Sequence, residues 1–155
     1  MNSESDETAP VLASLVWWRR FPSTSSTVTV ARRATRTALT GWGLDGDAVS
    51  DAALVVSELV TNAVRHGHVR GRLVELRLVY DLEKTVTVEV SDAGDGQPPP
   101  TAGRAADVAL AESGRGLALV AAFADAWGVQ ERVVGKTVWA RLLVDPRPSH
   151  GVNTR

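Results

Sequence analysis

The chain has 155 residues, 44% of them hydrophobic, and carries 17 Lys and Arg against 18 Asp and Glu. This is one domain's worth of sequence, long enough for a proper core and too short for two independent domains. A net charge of −1 and scattered arginines leave no basic footprint for nucleic acid, and the lack of cysteine removes disulfides, thiolate nucleophiles and Cys-ligated zinc, so the cytoplasm is the expected compartment.

Residues 1–10, MNSESDETAP, hold too little apolar surface to bury and read as a disordered tail without the features of a signal peptide. The domain is expected over 11–144. Apolar residues gather from Val11 to Phe21 and predict a strand that Pro22 ends. Residues 27–40 predict a helix with Val30, Ala34 and Leu39 near one side, closed by Gly41 and Gly43. The clearest helix spans 47–66: Asp47 stands where a cap is needed, apolar residues recur at helical spacing, and Gly67 follows. A strand pattern then sets Val74, Leu76, Leu78 and Tyr80 on one face, and a tight turn at Leu82 and Glu83 leads into a second strand, KTVTVEVSD. After a Gly- and Pro-rich passage over 93–113, a helix starts behind Gly114, Arg115 and Gly116, and two strands around Gly135 precede a tail at 145–155. Trp17, Trp18, Trp42, Trp127 and Trp139 are expected in core and sheet packing. Segregated helices and hairpin strands make an α+β sandwich, with about three helices covering one face of a mainly antiparallel mixed sheet.

Three stretches carry chemistry. ELVTNAVRHG, 58–67, puts Asn62 in a helix interior, where its amide offers the backbone rival hydrogen bonds. On a helical wheel Glu58, Asn62, Arg65 and His66 share one face, opposite Leu59, Val60, Ala63 and Val64. VSDAGDG, 90–96, ends a strand with Asp92 and two glycines. Alone that is also ordinary turn chemistry. As a site, a carboxylate there accepts a hydrogen bond from an exocyclic amine such as adenine's, where guanine would set acceptor against acceptor, and the glycines let the backbone pass under a flat ring. GRGLALV, 114–120, opens a helix with exposed N–H donors and the positive end of the dipole, which suits phosphate. It is not a P-loop, since no Gly-Lys-Ser/Thr follows, nor a dinucleotide fingerprint, since no strand immediately precedes it.

The succession is a helix with Glu and Asn, a strand ending in D-x-G-x-G, a long loop, G-x-G opening a helix, and a terminal hairpin with GKTV. It resembles the GHKL ATPase superfamily, and as a short chain it is similar to the bacterial anti-sigma factor serine/threonine kinases. The resemblance covers residues 15–144 and implies a Bergerat-type two-layer sandwich that binds ATP and Mg²⁺.

By that resemblance Glu58 is the general base and Asn62 holds the metal. The physical reading agrees: Mg²⁺ takes hard oxygen ligands and keeps waters and phosphate oxygens for the rest, and residues one helical turn apart lie about 5–6 Å from each other. The resemblance further implies that Asp92 reads the adenine amine, Gly94 and Gly96 line the base, Gly114, Arg115, Gly116 and Leu117 meet the phosphates, and Thr137 assists Asp92. Residues 97–113 become an ATP lid carrying Arg104, entered through Gln97 where the family usually has an apolar residue. Arg65 and His66 are assigned to scaffold or partner contacts, and His66 with His68 lacks the third ligand of a metal site. The implied partners are a sigma factor, a small anti-anti-sigma (STAS-type) protein and a second copy in a homodimer, with neither nucleic acid nor membrane. A rival reading is a nucleotide-binding module that sequesters its partner without phosphorylating it. A detached histidine-kinase domain is disfavoured, because every His lies at or beyond His66 and no dimerisation hairpin of helices precedes residue 47.

Overall fold

The computed structural model describes residues 13–66, 71–92 and 114–144. Along them run β1 (Leu15–Pro22), α1 (Ser26–Gly41), α2 (Gly46–His66), β2 (Leu73–Tyr80), β3 (Thr85–Ser91), α3 (Gly114–Phe123), β4 (Ala126–Glu131) and β5 (Lys136–Leu143). The strands form one five-stranded sheet in the order β1-β2-β3-β5-β4. Every pairing is antiparallel, so the parallel pair of a mixed sheet is absent among the described residues. The chain leaves β3, passes through α3, reaches the far edge as β4 and returns as β5 into the slot beside β3.

Strand alternation decides the layers. Val74, Leu76, Leu78 and Tyr80 of β2, Val86, Val88 and Val90 of β3, and Ala140 and Leu142 of β5 are buried and meet Val55, Val56, Leu59 and Val60 of α2 in one core. Helix α1 packs on α2, and α3 packs on α2 and β4, so the helices gather on that face. The other face carries the ion pairs Arg20–Glu75 at 3.1 Å and Arg77–Glu89 at 3.0 Å, cross-strand neighbours by register. The α+β sandwich is the architecture expected.

Four details differ from expectation. In α1 the inward residues are Thr27, Ala31, Thr35 and Leu39, while Val30 is exposed. A hydroxyl is tolerated inside because Thr35 Oγ1 donates to the Ala31 carbonyl at 2.9 Å, which removes the cost of burying it. Helix α2 is capped by Asp45, whose Oδ1 accepts the Ala48 N–H at 2.8 Å; Asp47 lies inside the first turn, where its charge suits the dipole. Gly67, expected to close that helix, lies outside the described residues. Helix α3 includes Gly114, Arg115 and Gly116 instead of following them, and it stops at Phe123 because Asp125 N–H turns to the Arg141 carbonyl, starting β4. Trp17, Trp42 and Trp127 pack against the core, but Trp18 is 59% exposed on the ion-paired face, under the Arg20 guanidinium at 5.8 Å.

The β2–β3 turn is built by one carboxylate. Asp81 Oδ1 accepts the N–H groups of Glu83, Lys84 and Thr85 at 2.9, 3.0 and 2.9 Å while Leu82 takes a φ of 63°. Desolvation pushes the Asp81 carboxyl up, and those hydrogen bonds outweigh it, leaving the group below the ordinary carboxylate range. No helix among the described residues is long and apolar enough to cross a membrane.

Candidate functional site

Helix α2 is buried on most of its circumference, leaving Leu54, Glu58, Thr61 and Asn62 half-buried on one stripe. Polar residues around this stripe bond to their own helix: Ser57 Oγ donates to the Ala53 carbonyl at 2.9 Å and Thr61 Oγ1 to the Ser57 carbonyl at 2.6 Å. Glu58 and Asn62 instead face the start of α3. A Cβ placed on Gly116 would lie 2.7 Å from Glu58 Oε2 and 3.8 Å from Asn62 Oδ1. Two segments more than fifty residues apart thus bring a carboxylate, an amide oxygen and a glycine-rich helix start to one point.

Gly114 and Arg115 begin α3 beside this point. Leu117 is 7% exposed and Val120 fully buried, so these residues hold α3 down on the molecule. Leu117 is therefore placed as an anchor for the first turn.

The second part of the site is the end of β3. Asp92 is 5% exposed, its N–H donates to the Lys136 carbonyl at 3.0 Å, and its Oδ1 accepts the Lys136 N–H at 3.3 Å. The start of β5 therefore orients the carboxylate. Gly94, Gly96, Arg104 and the lid at 97–113 lie outside the described residues, as does His68.

Thr137 lies in β5 beside the end of β3. Its Oγ1 lies 2.7 Å from Ser91 Oγ, its cross-strand partner. Val90 and Val138 pack into the core, and the neighbouring Ser91 and Thr137 pair across the two strands, with Ser91 8% exposed. The contact of Asp92 with the Lys136 backbone was not among the sequence expectations.

No group of three or more His, Cys, Asp or Glu that could hold a metal exists among the described residues. What the junction offers is the Asn62 amide oxygen with the Glu58 carboxylate close by. That donor set fits Mg²⁺, which takes one or two protein oxygens and completes its octahedron with phosphate and water.

The histidine kinase-like ATPase domain family matches residues 21–142, a span that includes every position above. The chain belongs to that family. ATP is accordingly the ligand implied for this GHKL-type ATPase domain. No curated protein matches the chain. Among solved structures it is similar to the RsbU and RsbW domains of Rv1364c from Mycobacterium tuberculosis, with 23% identity and a TM-score of 0.59 over 85% of this chain. The chain covers 33% of that protein's length, and the likeness shows a shared Bergerat-type fold.

Proposed function

We propose that this ATPase domain is an ATP- and Mg²⁺-dependent protein serine/threonine kinase of the anti-sigma type. It binds a sigma factor and phosphorylates a small STAS-type antagonist, working in the cytoplasm as a homodimer. The observation that carries the reading is the convergence of Glu58 and Asn62 on Gly116 at the start of α3. The fold shared with a protein that contains RsbU and RsbW domains supports a regulatory role of this kind.

The residues take the following parts. Asp92, buried and oriented by Lys136, accepts the adenine amine. The N–H donors opening α3 receive phosphate oxygens. Asn62 would hold Mg²⁺, which when bound neutralises and orients the phosphates. Glu58 takes the proton of a serine or threonine hydroxyl as that oxygen bonds to the γ-phosphorus; the bond to the bridging oxygen breaks and ADP leaves.

Glu58→Gln keeps the size of the side chain and removes the base. The expected result is retained ATP affinity with loss of phosphotransfer, read as the gain of one phosphate on the partner by mass spectrometry. Undiminished transfer by the variant would remove Glu58 from the mechanism. A wild type that binds both ATP and partner yet never phosphorylates it would be a sequestering module.

A further inference from the structure

We propose that Gly116 is a positioning residue for Glu58: the missing side chain leaves a notch in the first turn of α3 that the carboxylate fills. The catalytic consequence rests on the kinase reading above, and the packing itself does not. A glycine inside a helix is less stable than alanine, because its backbone loses more freedom on folding. Two other glycines within helices, Gly41 and Gly46, have nothing within 4 Å of an added Cβ. At Gly116 the added Cβ would meet Glu58 Oε2 at 2.7 Å, well inside van der Waals contact.

Which side would yield follows from what holds each. Helix α3 is fixed by Leu117 and Val120, buried to 7% and 0% exposure, so it does not retreat without opening the core. Glu58 presents the free end of a flexible side chain, so the carboxylate is what moves. Asn62 Oδ1, at 3.8 Å, remains in ordinary contact with the new methyl. Alanine at this position therefore separates the base from the metal ligand while sparing the latter. In the native chain the glycine keeps both oxygens on one side of α3, and Glu58 has a defined place instead of a range of rotamers.

The test is a double-mutant cycle between positions 116 and 58, with Gly46→Ala as the control for a helical glycine replaced in open space. Gly46→Ala is expected to raise the melting temperature by about 1–4 °C, the usual gain for a chain of this size. Gly116→Ala gives no such gain with Glu58 present and gives it once Glu58→Ala removes the carboxylate. The functional arm follows ADP formed from Mg·ATP with water as acceptor. Gly116→Ala slows this turnover at least tenfold in the Glu58 background and by a clearly smaller factor in the Glu58→Asp background, because the shorter acid no longer reaches the notch.

A glycine needed only to seat phosphate would slow both backgrounds alike, and that result overturns the proposal. So does a melting change independent of residue 58. If Gly116→Ala fails to fold, the same variant with Glu58→Ala decides: recovery of folding supports the clash, and failure of both overturns it. A wild type that does not bind Mg·ATP defeats the kinase reading and leaves the melting cycle to judge the packing on its own.

Discussion

Asp92→Asn is the substitution that most directly tests the nucleotide reading. The side chain keeps its shape, and its carbonyl oxygen still accepts the Lys136 N–H that Asp92 Oδ1 receives at 3.3 Å, so the end of β3 is expected to stay in place. The amide NH₂ then stands where the second carboxylate oxygen was. Against adenine's exocyclic amine this is donor facing donor. A hydrogen bond to a charged group contributes roughly 1.5–3 kcal/mol, and the 5% exposure of Asp92 argues for the upper half of that range. The dissociation constant for Mg·ATP should rise roughly 40- to 150-fold. The guanine carbonyl, an acceptor, now faces a donor, so the preference for ATP over GTP should narrow or invert. Calorimetric titration of each nucleotide into wild type and variant, with a melting curve to confirm folding, measures both effects. A folded variant that binds ATP within twofold of wild type refutes the assignment of Asp92 to the base.

Asp45→Ala removes the cap that bonds the Ala48 N–H and should cost about 1 kcal/mol, a melting-point loss of about 2–4 °C; an equal loss from Asp47→Ala instead would show the cap misassigned. Gly128→Ala sets a Cβ 2.9 Å from Trp139 Cζ2 and should destabilise by about 1–3 kcal/mol with a shift in tryptophan fluorescence, as the indole lifts off β4. Because the folded-state pKa of Asp81 is lowered, its stabilisation is fully present above its unfolded value near pH 4 and is lost as pH falls through the folded value. The gap in urea midpoint between wild type and Asp81→Ala should therefore be constant at neutral pH and close in acid, and a gap independent of pH down to about 2 would contradict the turn geometry.

Much of this architecture was legible because apolar periodicity is a direct record of burial. The alternation of Val74, Leu76, Leu78 and Tyr80, and the helical run ending near His66, are both recovered in the structure. What periodicity misjudged were residues whose polarity is cancelled by a local bond. Val30 reads as core, but the Thr35 hydroxyl finds the Ala31 carbonyl, and the small, satisfied threonine is the better inward residue. The cap at Asp45 instead of Asp47 is a choice between two carboxylates two residues apart, which composition does not separate. The convergence at Gly116 is different in kind. Each motif was visible in one dimension, but the contact between α2 and α3 depends on the intervening sheet.

Thr137 is assigned to the base by resemblance, and its hydroxyl meets Ser91 in the structure. The match in GKTV aligned residue types, and threonine is the type that suits a hydroxyl helper beside a carboxylate. Thr137 Oγ1 lies 2.7 Å from Ser91 Oγ, and Ser91 directly precedes Asp92. Lys136 meets Asp92 through its backbone N–H and carbonyl, so the parts of the two residues are distinguishable at the bench. With Thr137 assisting Asp92, Thr137→Val should weaken ATP in the calorimetric titration and cost stability through the lost contact with Ser91, whereas Lys136→Met preserves the backbone contacts to Asp92 and should leave affinity near wild type. A Thr137→Val variant that loses stability yet binds ATP as wild type does would confine the hydroxyl to its contact with Ser91 and remove it from the base site.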